Sequence, residues 1–348
     1  MAEQIGINGI PVGAITVEVT HRCVRSCAFC FAPRAGEEGG GEELPAKELV
    51  RLVGMLVEET GCRNVQISGG EPLLREDIVE IAGGVRRCGA RPSMLTDAGM
   101  LDAGLARRLR KAGVYRIQPT LLAGSPEPHD ALRGQGAFGQ TTRAIAEAVS
   151  AGLHVTVSMV VTRRNWKEAG KVAELCFALG AQAMAFARFC PAGEAKKARH
   201  ELMPGARQVR QAGEEAARAC LGLGLKVSAA VTVPSCVWRD PTKPPLRTGV
   251  CSLVGPKATV TLGPDGTIRS CSISTMIAGD LKREPFEVVA ARMWERELGP
   301  LRLARPAPCS ACSLFAQCLG GCRLAGMACG DGPDHPDPLI TGTAAPGV

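Results

Sequence analysis

Three thiols fall within eight residues, at Cys23, Cys27 and Cys30, spaced Cys-x3-Cys-x2-Cys. Three soft ligands on one short loop suit three irons of a [4Fe–4S] cluster and leave the fourth iron open. Zinc asks for a fourth ligand close by, and only His21 is near. Phe29 and Phe31 flank Cys30 and would keep water from a cluster. A second group carries Cys309, Cys312, Cys318, Cys322 and Cys329, preceded by Cys251 and Cys271. Four or more thiols at such spacings again point to iron–sulfur or zinc chemistry.

The chain has 348 residues, 16 of them cysteines, with a net charge of +7. The N-terminal residues lack the basic start, apolar run and cleavage site of a secretory signal. No run approaches the ~18 apolar residues of a membrane span. A cytoplasmic location is therefore expected, where thiols stay reduced and metal ligation is favoured over disulfides. Aromatic residues make up 3% and tyrosine occurs once, so base-stacking platforms are scarce and no nucleic-acid partner is expected. No membrane partner is expected either.

The elements that must hold these thiols can be read from periodicity. AITVEVT at 14–20 reads as a strand, 44–60 as an amphipathic helix and NVQISGG at 64–70 as a strand ending in glycines. Helices then alternate with strands: 75–88, 101–112, 138–151, 166–179 and 203–222 against PSMLTDAG, VYRIQPTLL, LHVTVSMVV, AQAMAFARF and LKVSAAVTV. This regular βα alternation predicts parallel, right-handed units. The fold class is α/β: an open, partial (β/α)6 TIM-like barrel over residues 1–232. A small cysteine-rich domain with a β-hairpin, ATVTLGPDGTIRSCSIS with its Asp-Gly turn, follows over 233–330. Residues 331–348 read as a flexible tail, and 36–43 as a mobile loop. In parallel barrels chemistry gathers at the C-terminal strand ends. Cys23–Cys30, Gly69–Glu71, Asp97 and Arg188–Cys190 all fall there.

The motif CVRSCAFC, with an aromatic before its last cysteine, resembles the signature of the radical S-adenosylmethionine (SAM) superfamily. GGEP at Gly69–Pro72, one βα unit downstream, agrees with it. The resemblance implies that Gly69, Gly70 and Glu71 contact the methionine end of SAM. A glycine pair lets backbone approach closely, and a carboxylate pairs with an ammonium. It further implies cofactor contacts from Phe29, Ser93, Thr96, Asp97, Ser158 and Arg188. The usual residue at position 97 is Asn, so Asp97 departs from the pattern. Cys23, Cys27 and Cys30 would hold the catalytic cluster. Cys190, in RFCPAG, reads either as a buried hydrophobe or as a thiol that donates a hydrogen atom or holds substrate. His129 and Asp130 would reach substrate or cap a helix, and the capping reading is preferred.

The C-terminal pattern resembles the SPASM domain, which carries auxiliary iron–sulfur clusters. By that resemblance Cys251, Cys271 and Cys322 serve auxiliary cluster I, and Cys309, Cys312, Cys318 and Cys329 serve auxiliary cluster II. Cluster I then lacks a fourth thiolate. Cys236 would supply it, or one iron stays open to substrate or a small ligand. Cofactors would be three [4Fe–4S] clusters and SAM.

The family reading is an enzyme: a radical SAM maturase that cleaves SAM reductively and abstracts hydrogen from a ribosomally made peptide or peptide-derived cofactor precursor. Its partners would be a flavodoxin- or ferredoxin-type reductant and, because the first strand begins within ~15 residues of the start, a separate leader-peptide-binding protein. One alternative acts on a tetrapyrrole, haem precursor or other small molecule, with Arg34, Arg133 and Arg188 meeting carboxylates. A non-catalytic alternative is an iron–sulfur electron carrier or a zinc scaffold, for which a SAM site would have no use.

Overall fold

The computed structural model describes residues 6–32 and 42–340. Arg34, most of the loop expected at 36–43, and 341–348 lie outside the described residues. The order of elements follows the sequence pattern. Strands β1 (Val12–Glu18), β2 (Asn64–Ser68), β3 (Arg91–Thr96), β4 (Arg116–Pro119), β5 (His154–Val161), β6 (Ala183–Arg188) and β7 (Lys226–Ala229) are all mutually parallel in chain order. The crossovers carry helices α1 (Ala46–Thr60), α2 (Ile78–Arg87), α3 (Ala103–Lys111), α4 (Pro126–Arg133), α5 (Ala137–Ser150), α6 (Ala169–Ala178), α7 (Arg199–Leu202) and α8 (Ala206–Gly222).

Each long helix buries one stripe. On α1, Leu49, Leu52, Val53, Leu56 and Val57 face the sheet, at the 3.6-residue period that a core-facing helix needs. Opposite them stand Ile15, Val17, Val65 and Ile67, all at most 1% exposed. Strands covered on both faces by such chains must be apolar nearly throughout, as parallel sheets are.

Beyond β7, strands β8 (Ala258–Leu262) and β9 (Thr267–Arg269) form the expected antiparallel hairpin, and β10 (Gly279–Asp280) adds to it. The hairpin extends the barrel's own sheet. β8 pairs parallel with β1, Thr16 opposite Thr261 and Val17 opposite Leu262, so the order is β10-β9-β8-β1-β2-β3-β4-β5-β6-β7. Arg269 on β9 forms a buried ion pair with Glu18 at the end of β1. The cysteine-rich part is thereby fixed to the strand that feeds the first thiol loop.

The expected flexible tail is corrected where it is described. Leu339 is 1% exposed, and the Asp337 side chain is fully buried. Asp337 takes the guanidinium of Arg188, the Cys322 N–H at 2.8 Å and the Leu339 N–H at 3.0 Å. A buried carboxylate so surrounded holds the segment in place, because a buried charge left alone is costly. Asp337→Ala strands Arg188 in the interior and should cost about 3–5 kcal/mol, read as a lower denaturant midpoint. The double change Arg188→Met with Asp337→Leu should cost less than the single one.

Candidate cluster and cofactor site

The first thiol loop leaves β1 at Val19 and is pinned from two sides. On one side lies the segment after β2. Gly70 N–H donates to the Thr20 carbonyl and Glu71 N–H to the Arg22 carbonyl, both at 2.8 Å. A Cβ on Gly69 would stand 2.3 Å from Thr20 O, and one on Gly70 would stand 2.1 Å from Arg22 O. Gly69 also has φ +133°, a region closed to most side chains. These glycines thus let two backbone segments touch. On the other side, Ala195 N–H donates to Cys30 O at 2.9 Å, and Gly193 sits against Phe31 and Ala32.

A cleft of about 20 Å3 opens between Cys23, Cys30, Gly69 and Gly70, with Glu18 and His21 also lining it. The two motifs that sequence placed one βα unit apart therefore face each other. Phe29 is buried beside Leu122, Leu132 and Phe189, with Cys27 packed on the same apolar group. Burial raises the Cys27 thiol, and nearby Arg133 works against that.

Glu71 does not present a free carboxylate. Its Oε1 accepts from Leu73 N–H at 3.0 Å and from the Thr96 hydroxyl at 2.5 Å, and its Oε2 accepts from Asp97 N–H at 2.6 Å. Burial nevertheless pushes it up to about 7. Thr96 and Glu71 thus act as a tie between the ends of β2 and β3. Asp97 is held by Arg25 at 3.2 Å and by Arg133. The departure from Asn has a physical reason: a carboxylate here neutralises two cations. Ser93 lies inside β3, its hydroxyl on the Val65 carbonyl at 3.5 Å. Ser158, 8% exposed, sits on β5 bridged to Thr120.

Outside the loop a larger cavity of about 470 Å3 is lined by Arg25, Ser26, Asp130, Arg133, Arg164 and Glu201 among others. His129 does not reach it. Its Nδ1 accepts from Leu122 N–H at 3.1 Å and its ring packs edge-on to Phe138. Asp130 caps, as preferred, taking Gly136 and Phe138 N–H at the start of α5.

Two expected site residues are buried. Arg188 is bonded to Thr232 O at 3.2 Å and paired with Asp337. Cys190 does not face the barrel mouth as a catalytic thiol. It is 2% exposed and lies beside Cys322. That neighbour and burial raise Cys190. Cys322 is held low by Cys190 and Cys251, with Arg188 adding to the effect.

The second constellation divides in two. Cys251 lies beside Cys322, and Cys271 lies within electrostatic reach of it. Cys309, Cys312 and Cys318 form the other group. Between Cys318 and Cys322 three consecutive residues, Leu319, Gly320 and Gly321, have positive φ. That reversal separates the two thiols although they are close in sequence. Ser235, next to Cys236 in sequence, donates its backbone N–H to the Cys318 thiol at 3.3 Å. Cys329 is raised by burial, and nearby Arg199 works against that. Among the described residues no three Cys, His, Asp or Glu side chains converge tightly enough for one metal ion. The donor set, thiols in groups of three or four, is that of iron–sulfur clusters.

The profile of the Radical SAM superfamily matches residues 17–176. Over those residues, fewer than half of the chain, it is similar to that superfamily. Probable GTP 3′,8-cyclases of Saccharolobus islandicus and Saccharolobus solfataricus are 36% identical over 191 residues, 55% of this chain. The match spans 61% of the length of those curated relatives. A PqqA peptide cyclase from Streptomyces rochei is 28% identical over 90% of this chain and 85% of its own. In fold the chain is similar to SuiB of Streptococcus suis bound to its precursor peptide SuiA, with TM-score 0.75, 14% identity and coverage of 96% and 76%. It is also similar to anSMEcpe with bound AdoMet and Cp18Cys peptide, with TM-score 0.74, 16% identity and 94% of each chain covered. Among the described residues no helix is long and apolar enough to cross a membrane.

Gly70→Ala should cost about 1–3 kcal/mol through overpacking against Arg22 and lower the iron held by the first loop. Gly139→Ala, on a helix with nothing within 4 Å, should stabilise by about 0.5–1 kcal/mol. Both are read by thermal melts and iron analysis. Burial lowers His129 from 6.5 to about 4. A depressed histidine contributes stability above its unfolded value of 6.5 and loses it as pH falls through about 4. Wild type should therefore lose more stability than His129→Gln over that window, measured by urea midpoints.

Proposed function

We propose that the chain is a radical SAM maturase that abstracts hydrogen from a ribosomally made peptide or a peptide-derived cofactor precursor. The observation that carries this reading is the cleft where Cys23 and Cys30 meet Gly69 and Gly70. Cys23, Cys27 and Cys30 would hold a [4Fe–4S] cluster, which when bound supplies one electron for cleavage of SAM to methionine and a 5′-deoxyadenosyl radical. Backbone groups of Gly69 and Gly70 line the cleft and are available to the methionine end, while Glu71 holds that segment rigid. Phe29, Leu122 and Phe189 exclude water on the Cys27 side, which favours placement and suppresses side reactions. Thr96 and Asp97 position the loop through Glu71, Arg25 and Arg133. Ser158 is retained as a SAM contact from β5.

Cys251, Cys271 and Cys322 would serve auxiliary cluster I, and Cys309, Cys312, Cys318 and Cys329 auxiliary cluster II, giving three [4Fe–4S] clusters. A peptide substrate is favoured by the PqqA peptide cyclase likeness across most of the chain and by the peptide named in the SuiB and anSMEcpe complexes. A flavodoxin- or ferredoxin-type reductant and a separate leader-binding protein complete the proposed partners. The cavity beside the loop favours a second reading. Arg25, Arg133 and Arg164 line it, as an anionic small molecule would require, and the cyclase relatives are the more identical ones.

Reconstituted wild type should hold about twelve irons per chain and release 5′-deoxyadenosine when reduced with SAM. Cys27→Ala should lose that release and keep its auxiliary iron, measured by iron analysis and chromatography. A candidate peptide should change mass in the same mixture. Unchanged nucleoside release in Cys27→Ala would refute the assignment.

A further inference from the structure

The thiol of Cys190 is used by nothing in the reading above. It sits two residues past the end of β6, in a segment held from both ends. Ala195 and Gly193 lock it to the first thiol loop at Cys30 and Phe31. Arg188 locks it, through Asp337, to the N–H of Cys322. Between those anchors Cys190 is 2% exposed and contacts Cys322. Cys251 contacts the same thiol, and Cys271 lies near it. Cys322 is thus the common neighbour of three other thiols, two from the C-terminal part and one from the barrel.

A second observation points to a group among them. Arg188 is fully buried, yet its Nη1 has no hydrogen-bond partner. Its charged neighbours are Asp337, Cys322, Cys190 and Cys329. A buried guanidinium N–H without a partner is a donor in need of an acceptor, and cluster sulfurs accept such bonds, which tune their potential. Cys236 is the ligand that sequence spacing suggested, and the backbone N–H of its neighbour Ser235 goes to Cys318 of the other group.

We propose that Cys190 is the fourth thiolate of the cluster held by Cys251, Cys271 and Cys322, so that this cluster is ligated by protein at all four irons. The assignment rests on the auxiliary-cluster reading and deepens it. It makes cluster I coordinatively closed, an electron-transfer or structural centre that cannot bind substrate at iron. It also makes β6 a covalent bridge, through iron, between the barrel and the cysteine-rich part.

The test uses full-length protein carrying Cys23→Ala, Cys27→Ala and Cys30→Ala, which removes the first cluster and leaves the auxiliary ones. After anaerobic reconstitution it is assayed for iron, and its reduced form is examined by electron paramagnetic resonance with and without cyanide. We expect about eight irons per chain and a spectrum that cyanide does not change. Adding Cys190→Ala should open one iron, so that cyanide now shifts part of the signal. Adding Cys236→Ala should leave the response as in the parent. A cyanide shift in the parent itself would overturn the assignment, whatever the folding of the Cys190 variant. So would a Cys190→Ala spectrum that cyanide leaves unchanged while iron is retained. Absence of auxiliary iron in the parent would overturn both this assignment and the cluster reading beneath it.

Discussion

The contact on which the molecule depends is made of backbone alone. The Gly69–Gly70–Glu71 segment lies against Thr20–Arg22, with two N–H···O bonds at 2.8 Å and no room for a Cβ on either glycine. This contact joins the end of β2 to the loop that leaves β1, and so sets where Cys23 and Cys30 stand. Glu71 then fixes the segment from behind, taking donors from Leu73, Thr96 and Asp97. Such a buried, satisfied carboxylate makes for rigidity, and a half-satisfied one would not. The site is therefore built by strand ends that brace one another, with each βα unit holding its neighbour.

Two buried ion pairs help join the cysteine-rich part to this frame. The hairpin continues the sheet from β1 and closes the Glu18–Arg269 pair at the rim of the cleft. At the other side of the barrel, Arg188 and Asp337 bring the Cys322 turn against the end of β6. Both joints are buried ion pairs between residues remote in sequence, and both depend on each partner keeping its charge.

Most of this frame was legible in the sequence. The strand and helix alternation, the hairpin with its Asp-Gly turn, and the facing of Cys23–Cys30 with Gly69–Gly70 follow from local pattern and from motif spacing. Helix α4 has a legible start signal in Ser125 followed by Pro126 at its first turn, but no apolar stripe long enough to mark it by periodicity. The misplacements share one cause. Asp337 lies 149 residues from Arg188 in a stretch of Pro, Gly and Asp that reads locally as a tail. Cys190 and Cys322 are likewise remote, and no local period announces their contact. Arg188 and Cys190 were placed correctly at the end of β6, and what sequence could not supply was the partner that covers them. Glu71 was expected to reach outward, but the N–H and hydroxyl groups that turn it inward come from β3, another strand.

The central claim is that the first thiol loop and the glycine pair together hold one cluster and one SAM. Its most direct test is electron–nuclear double resonance on the reduced protein with SAM labelled by nitrogen isotope at its amino group. The account predicts a nitrogen coupling to the cluster in wild type that disappears in Cys27→Ala. A wild-type spectrum with no such coupling, under conditions where SAM is shown to be bound, would contradict it.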